Sequence, residues 1–545
     1  MTLRGMQSNQ APRASFKRRR QEIERRFAAH GLLRPPEPLE QPSRKLRQAL
    51  ESLGPVFSTF GLYLSSRADL FPAADCLTLS ALPNWAPAMP LLTVRDLIAA
   101  ELHDDPEMVY AVFEDTPYES CVAYQSHRAV LRTGEHVLVK VTRPETQLAE
   151  SLTYDLELLS VVGKVLSQKT WGGLSIEDAI ADFRVTLRWQ QELRHEIQAI
   201  QAMLQDTHTS DMLRVPRVYP ELCTSRLRTI EHVAGINLEA LFMAWQTQGS
   251  GHVPLSGIKL GELARRLCLL WLRQALLGTQ CPVEWRPADI VWLPNKQFSF
   301  TGGVFAALPS ETKKNLWHYL TATAGEDPDK ACAYLLQEMT HEDTSLDEDE
   351  LRHRFREIVP FRDGGWERSS TSNSLAEHLF LQWRLMHERG LRPRPPLLGF
   401  IRGLFRTVAM TRRITQEGDP LSEGLQDVRT VAIFYQFRDM MELDQISDSM
   451  DQYTALAMGM PQRLNEVLAF GADISRMRPQ GVSRSTRHER ASSSATVVAL
   501  LLVLAAVVLV SHHLAASAIA GVWVERMSAI VFVSVGALLL RAASR

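Results

Sequence analysis

The sequence predicts an α+β protein with an apolar C-terminus, and three observations carry that expectation. Between Ser120 and Val141 two strand-like runs, "SCVAYQSHRAVL" and "HVLVKV", are separated only by "RTGE", the pattern of a β-hairpin. Helical periodicity dominates on either side, and a small antiparallel sheet flanked by helices and followed by a helical lobe is an α+β plan. At the C-terminus, "ATVVALLLVLAAVVLV" from Ala495 and "MSAIVFVSVGALLL" from Met527 contain no charge.

Taken in order, residues 1–45 read as a basic arm without fixed structure that ends in the Pro-rich "RPPEPLEQP". Twelve Lys/Arg stand against four Glu in the first fifty residues, a balance that suits anionic lipid or nucleic acid but is most often that of a disordered, soluble tail. The formal net charge of the whole chain is only −2, so no global field favours nucleic acid and none is expected as a partner. Residues 46–104 form a helical extension broken at "FPAAD" and "LPNWAPAMP", whose prolines mark turns. Residues 105–240 hold the hairpin, amphipathic helices over about 146–205, and two further strands in "RVPRVYPEL" and "RLRTIEHV". Residues 241–480 are mostly helical, with an irregular section near 281–303, and 481–494 are a polar linker. The six cysteines show no C-x-x-C pair and no zinc spacing, as expected of core residues in a reducing compartment.

Residues 495–545 predict two transmembrane helices. Two long uncharged segments in tandem are more simply spans than core helices. Arg484, Arg487 and Arg490 precede the pair and Arg541 and Arg545 follow it, so the positive-inside rule makes a hairpin with both ends, and the main domain, cytoplasmic.

The short strand "HVLVKVTRPE" places Lys140 among Val137, Val139 and Val141, with Arg143-Pro144 ending the ladder. On its own such a lysine is an ordinary edge residue. In its setting, however, the order of segments from about Leu53 to Asp419 resembles the UbiB family of atypical protein-kinase-like proteins. "LGPVFSTFGLYLSSRADLFP" is similar to the family's Lys-x-Gly-Gln helix and the Ser-Thr-Arg-x-Asp-Leu segment after it. "CVAYQSHRAVLRTGEHVLVKVTRPE" is similar to its Ala-rich loop and Val-Lys-Val-Gln-Arg-Pro strand. "TIEHVAGINL" resembles its hinge, and "GLRPRPPLLGFIRGLFRTVAMTRRITQEGDP" its C-terminal helices.

The resemblance implies a two-lobe protein-kinase-like fold, with residues 105–240 as N-lobe and 241–480 as C-lobe. It makes Lys140 the phosphate-facing lysine and Glu196 its helix partner, a pair that aims the ammonium at phosphate oxygens. It also exposes departures. The family's His-x-Asp-Pro-His-Pro-Gly-Asn aligns with "PVEWRPAD", so Glu284 replaces the first Asp, Arg286 the second His and Asp289 the Asn. Thr301 in "FSFTGGVF" replaces the metal-binding Asp. The Lys-x-Gly-Gln motif has become Thr59-Phe60-Gly61-Leu62, and its Glu-x-Asp companion Gln190-Gln191-Glu192. Tyr124 stands in the Ala-rich loop, where backbone has to approach phosphate.

The resemblance thus implies a membrane-anchored pseudokinase that binds ATP weakly, without a dependable Mg²⁺ site, and serves as an accessory or scaffold factor in isoprenoid-quinone (ubiquinone) or related lipid metabolism. Membrane lipids, prenylated quinone intermediates and peripheral quinone-biosynthesis enzymes are the partners this implies. A bacterial inner membrane is the expected location, with the mitochondrial inner membrane as the alternative. Two other functions remain open at this point. One is a divergent ATPase or small-molecule kinase with a metal site relocated to Glu284 and Asp289; the other is a structural membrane adaptor with an empty pocket.

Overall fold

The computed structural model describes residues 10–32, 41–143, 145–166, 177–206, 211–248, 259–325, 327–340, 347–358, 374–415 and 418–429, all within the unit Met1–Asp439. The two apolar C-terminal segments expected to cross a membrane lie outside the described residues. Among the described residues no helix is long and apolar enough to do so.

The basic arm is corrected by a 20-residue helix, α1 (Gln10–Ala29). Its charge run conceals an apolar stripe: Ile23 and Phe27 are fully buried and Phe16 packs against the same core. Each such apolar side chain is worth roughly 1.5–3 kcal/mol, enough to hold the helix on the domain. Arg19 completes the attachment through Asp155 at 2.8 Å. The helical extension follows as α2 (Pro42–Leu53), α3 (Pro55–Leu64), α4 (Ala73–Leu79), α5 (Leu91–Leu102) and the single turn α6 (Pro106–Val109). Prolines open α2, α3 and α6, where a missing N–H costs nothing.

An antiparallel sheet then forms from β1 (Tyr110–Phe113), β2 (Glu119–Ser120), β3 (Tyr124–Leu131) and β4 (His136–Thr142), joined later by β5 (Leu227–Glu231). The spatial order is β1-β3-β4-β5, with β2 paired to β3, and Lys140 lies opposite Ser126 on one side and Arg228 on the other. The expected hairpin is therefore present. Between β4 and β5 run α7 (Glu145–Leu166), α8 (Glu177–Gln191) and α9 (Leu193–Leu204), inside the span expected to be helical. The strand expected in "RVPRVYPEL" is reduced to isolated bridges at Leu213 and Val218 and a 3₁₀ turn, because Pro216 and Pro220 cannot donate to a ladder.

The remainder is β6 (Ile236–Asn237), α10 (Leu238–Gln248), α11 (Leu260–Leu276), β7 (Cys281–Glu284), β8 (Ile290–Trp292), β9 (Phe298–Phe300), β10 (Val304–Ala306), α12 (Ser310–Ala324), α13 (Pro328–Gln337), β11 (Met339–Thr340), α14 (Glu348–Ile358), α15 (Leu375–Glu388), β12 (Arg392–Pro393) and α16 (Pro395–Ile414). The section expected to be irregular is thus a set of very short strands, and it faces the edge of the first sheet. One apolar core runs from α1 through α3, α8 and α11 to α16, with Trp271 and Trp383 at its centre. Gly399 and Gly403 form a small-residue face on α16. A Cβ at 403 would collide with the carbonyl oxygen of Pro282, so the glycine lets this helix seat directly on β7. That seating brings two arginines of α16 to the cleft.

Candidate functional site

Lys140 projects from β4 between two strands, and α9 presents Glu196 to it. Both carboxylate oxygens of Glu196 accept from Lys140 Nζ at 3.0 Å. The same carboxylate lies 2.5 Å from Arg228 Nη1 and accepts from the Gly303 N–H at 3.2 Å. Two cations opposite one another on paired strands repel, and Glu196 is the anion that makes the arrangement tolerable. Burial, then the charge of Arg228, lowers the Lys140 pKa, with Glu196 opposing the shift. The ring of Tyr124 lies 4.0 Å from the Lys140 ammonium, a cation–π contact.

Asp289 ends a short 3₁₀ turn (Pro287–Asp289) and is buried. It is held by Arg286: Nε donates to Oδ2 at 2.9 Å and Nη2 to Oδ1 at 2.7 Å, a bidentate fork. Nη2 also lies 2.7 Å from Glu119 Oε1 and donates to Tyr124 Oη at 2.9 Å. Burial pushes the Asp289 carboxyl up, but the Arg286 guanidinium overrides it and holds the group below the usual aspartate value. The Thr301 hydroxyl points at the Ala288 carbonyl at 3.5 Å, while its own carbonyl accepts from Arg228 Nη2 at 2.7 Å. Gly302 fills the space between these groups. A Cβ there would come within 2.9 Å of Lys140 Nζ and 3.3 Å of Glu196 Oε1.

Glu284, at the end of β7, is clamped by α16: Arg402 Nη2 donates at 2.8 Å and Arg406 Nη2 at 2.6 Å. Arg402 further contacts Asp182 at 3.2 Å and Thr186 at 2.9 Å on α8, and Arg406 reaches the Leu62 carbonyl of α3 at 3.2 Å. These arginines therefore tie α3 over the cleft. Thr59 and Leu62 of α3 line it, whereas a Cβ on Gly61 would point at Leu50 and Leu82 on the opposite side. From α8, Gln190 reaches the cleft wall, but Glu192 does not; its side chain caps α9 by accepting from the Arg194 N–H at 3.4 Å. The void left among the lining side chains is about 40 Å³. That is room for a water or two, against the several hundred Å³ of a typical ligand pocket.

Residues 81–335 match the family model described as the ABC1 atypical kinase-like domain. A probable protein kinase UbiB of Shewanella putrefaciens is 32% identical over 221 residues, 40% of each chain. The chain carries an ABC1 atypical kinase-like domain over residues 81–335 and is similar to proteins named UbiB. An uncharacterized protein of Mycobacterium tuberculosis is 31% identical over 200 residues, covering 36% of this chain and 41% of the relative. An uncharacterized Clostridium pasteurianum protein is 25% identical over 292 residues, 53% of each. The chain thus spans about two fifths to one half of the length of the curated relatives it matches. A solved M. tuberculosis protein in complex with erythromycin is 16% identical, with a TM-score of 0.36, covering 66% of this chain and 92% of its own.

An ABC1 atypical kinase-like domain is compatible with ATP binding, and the expected Lys140–Glu196 pair is formed. A divalent cation does not fit the donor set. Both oxygens of Asp289 and both of Glu284 are engaged by arginines, and Thr301 turns its hydroxyl away to a backbone carbonyl. No cluster of metal-ligating side chains occurs among the described residues. The relocated site expected as an alternative at Glu284 and Asp289 is likewise opposed by these pairings, since a hard cation needs free carboxylate oxygens.

Sequence reasoning missed Arg228, Glu119, Arg402 and Arg406. Signals for two of these sets were present. Arg228 shares a strand face with the apolar Ile230, between Leu227 and Thr229 on the other face, so a strand buried on both sides would leave it in need of an anion. Arg402 and Arg406 interrupt the apolar face of a helix at i and i+4, which demands a buried carboxylate opposite. Glu119 carried no signal, because its role depends on a turn geometry that brings β2 to Arg286.

Proposed function

We propose that this chain is a UbiB-family pseudokinase, anchored to a membrane by its C-terminal segments, that acts as an accessory or scaffold factor in isoprenoid-quinone (ubiquinone) or related lipid metabolism. The observation that carries the pseudokinase part is the charge closure of the cleft. Lys140, Arg228, Arg286, Arg402 and Arg406 face Glu196, Glu119, Asp289, Glu284 and Asp182, five cations against five carboxylates. Phosphoryl transfer needs a cation that bridges phosphate oxygens at the instant of transfer, and here no carboxylate is free to hold one. Membrane anchoring is supported by the two uncharged segments of the sequence, and a lobe held at the bilayer meets both prenylated lipids and the peripheral enzymes that act on them. The quinone context is supported by kinship with relatives named UbiB.

The intact Lys140–Glu196 pair favours a second reading, a divergent ATPase or kinase. Single-turnover hydrolysis of labelled ATP by the purified full chain in detergent separates the two. The pseudokinase reading expects no Mg²⁺-dependent turnover, and weak, metal-independent nucleotide binding through Lys140. Turnover that requires Mg²⁺ and is lost in both Glu284→Gln and Asp289→Asn overturns it.

A further inference from the structure

Three oxygens from two separate parts of the chain converge on a single nitrogen at the cleft. Asp289 Oδ1 and Glu119 Oε1 each lie 2.7 Å from Arg286 Nη2, and Tyr124 Oη lies 2.9 Å from it. Tyr124 Oη in turn donates to Glu119 Oε2 at 3.1 Å. An oxygen nest of this kind, two carboxylates and a phenol about one centre, is what a hard cation ordinarily organises. The Asp289 side chain is 2% exposed and those of Arg286 and Glu119 16% and 19%, so the nest is not a loose surface pairing.

We propose that Arg286 is a tethered counter-cation and interlobe latch: its guanidinium occupies a latent divalent-cation site formed by Asp289 and Glu119, excludes metal from it, and fastens the sheet to the lower lobe across the nucleotide cleft. Glu119 and Tyr124 belong to β2 and β3, whereas Arg286 and Asp289 lie at the 3₁₀ turn beyond β7. The latch therefore joins the first sheet to the segment beyond β7. Its second member is Tyr124, whose ring covers the Lys140 ammonium while its hydroxyl joins the nest, so phosphate and metal are blocked by one connected group. A guanidinium serves better than an ammonium, because its planar fork grips Asp289 bidentately and still has a nitrogen edge for Glu119. Charge also explains the exclusion. Lys140, Arg228 and Arg286 together balance Glu196, Asp289 and Glu119; without Arg286 the group carries one net negative charge, and Asp289 and Glu119 lose the cation that they share.

The inference concerns the same cleft as the pseudokinase reading and rests on it for the role of Lys140. Its test uses Mn²⁺ alone, with no nucleotide, titrated into the full chain in detergent and followed by the loss of the free-ion electron paramagnetic resonance signal. Wild type is expected to show no Mn²⁺ site that Asp289→Asn removes. Arg286→Gln, which keeps a polar amide but loses the charge and the guanidinium, and Arg286→Ala are expected to bind Mn²⁺ at least about tenfold more tightly than wild type, as a carboxylate pair without its cation gains a hard cation. Adding Asp289→Asn to either variant should erase the gain. The proposal is overturned if the Arg286 variants bind no better than wild type, if the gain survives Asp289→Asn, or if wild type itself holds Mn²⁺ at Asp289. Should neither Arg286 variant fold, the wild-type titration decides: no Asp289-dependent site supports the latch and such a site overturns it. Mn²⁺ at Asp289 in wild type without ATP turnover sinks the latch and leaves the pseudokinase reading standing; metal-independent turnover by wild type does the reverse.

Discussion

Glu196 and Lys140 form an ion pair, yet the structure makes their removal unequal. Glu196 serves two buried cations at once, Lys140 at 3.0 Å and Arg228 at 2.5 Å, and also accepts from the Gly303 N–H. At an effective dielectric of about 20, each attraction at this range is worth about 5–7 kcal/mol before desolvation, which costs several kcal/mol per ion. Glu196→Gln discards both attractions and leaves Lys140 and Arg228, with side chains 4% and 0% exposed, facing one another on adjacent strands. The expected cost is about 3–5 kcal/mol. Lys140→Met removes one desolvated ion and its repulsion from Arg228 while the Glu196–Arg228 pair survives, so about 1 kcal/mol is expected. The double variant keeps Arg228 unpaired but spares it the neighbouring ammonium, and should fall short of the sum by about 1–3 kcal/mol. For a unit the size of Met1–Asp439, 4 kcal/mol is about 4 °C in Tm, within reach of differential scanning fluorimetry on the full chain in detergent. Equal costs for the two single variants, or an additive double variant, would refute the bridging role of Glu196.

Other consequences can be checked separately. Burial pushes the Glu284 carboxyl up, and Arg406 and Arg402 outweigh it to hold the group below its usual value. A carboxyl with a depressed folded value contributes stability above the ordinary glutamate range and loses it as pH falls through the folded value. The Tm gap between wild type and Glu284→Gln should therefore be widest at neutral pH and close below about pH 4; a gap independent of pH contradicts the clamp. Gly403→Ala drives a methyl into the Pro282 carbonyl and the Trp271 ring and should cost about 3 kcal/mol in urea unfolding, whereas Gly261→Ala on α11, with open space around it, should be neutral or slightly stabilising. Equal effects would mean that α16 does not seat on β7 as described. The full chain should resist extraction by alkaline carbonate and become extractable when 491–545 are deleted; extraction of the full chain removes the membrane hairpin from consideration.

What was legible in the sequence follows the range of the forces involved. The hairpin was visible because period-2 alternation and the "RTGE" turn are local, and Lys140 was placed because a strand fixes which face a residue takes. Glu196 was placed only through family resemblance, since 56 positions of sequence separate it from Lys140 and no local pattern links the two. Helix α1 was hidden for a different reason: charge dominates the composition of residues 1–45, and the helix is held by three apolar residues that share a face rather than by its own propensity. Thr59, Leu62 and Gln190 do line the cleft, whereas Gly61 and Glu192 face elsewhere, because adjacent positions on one helix point about 100° apart and a motif is not a surface.

The arginines explain why these departures occur together. An arginine beside Asp289 would be costly without a second acceptor, and Glu119 with Tyr124 supplies it; two arginines in the buried face of α16 would be costly without Glu284. Each replacement is accompanied by the counter-charge that neutralises it, so the cleft is closed by paired charges rather than by one bulky plug. A ligand that enters must therefore break at least one buried pair. A phosphate would have to compete with Glu196 for Lys140, and a metal with Arg286 for Asp289. The first exchange replaces one anion by another and conserves charge, whereas the second brings a cation against a cation that cannot leave. Weak binding of a metal-free anion is thus the form of nucleotide recognition that this cleft opposes least.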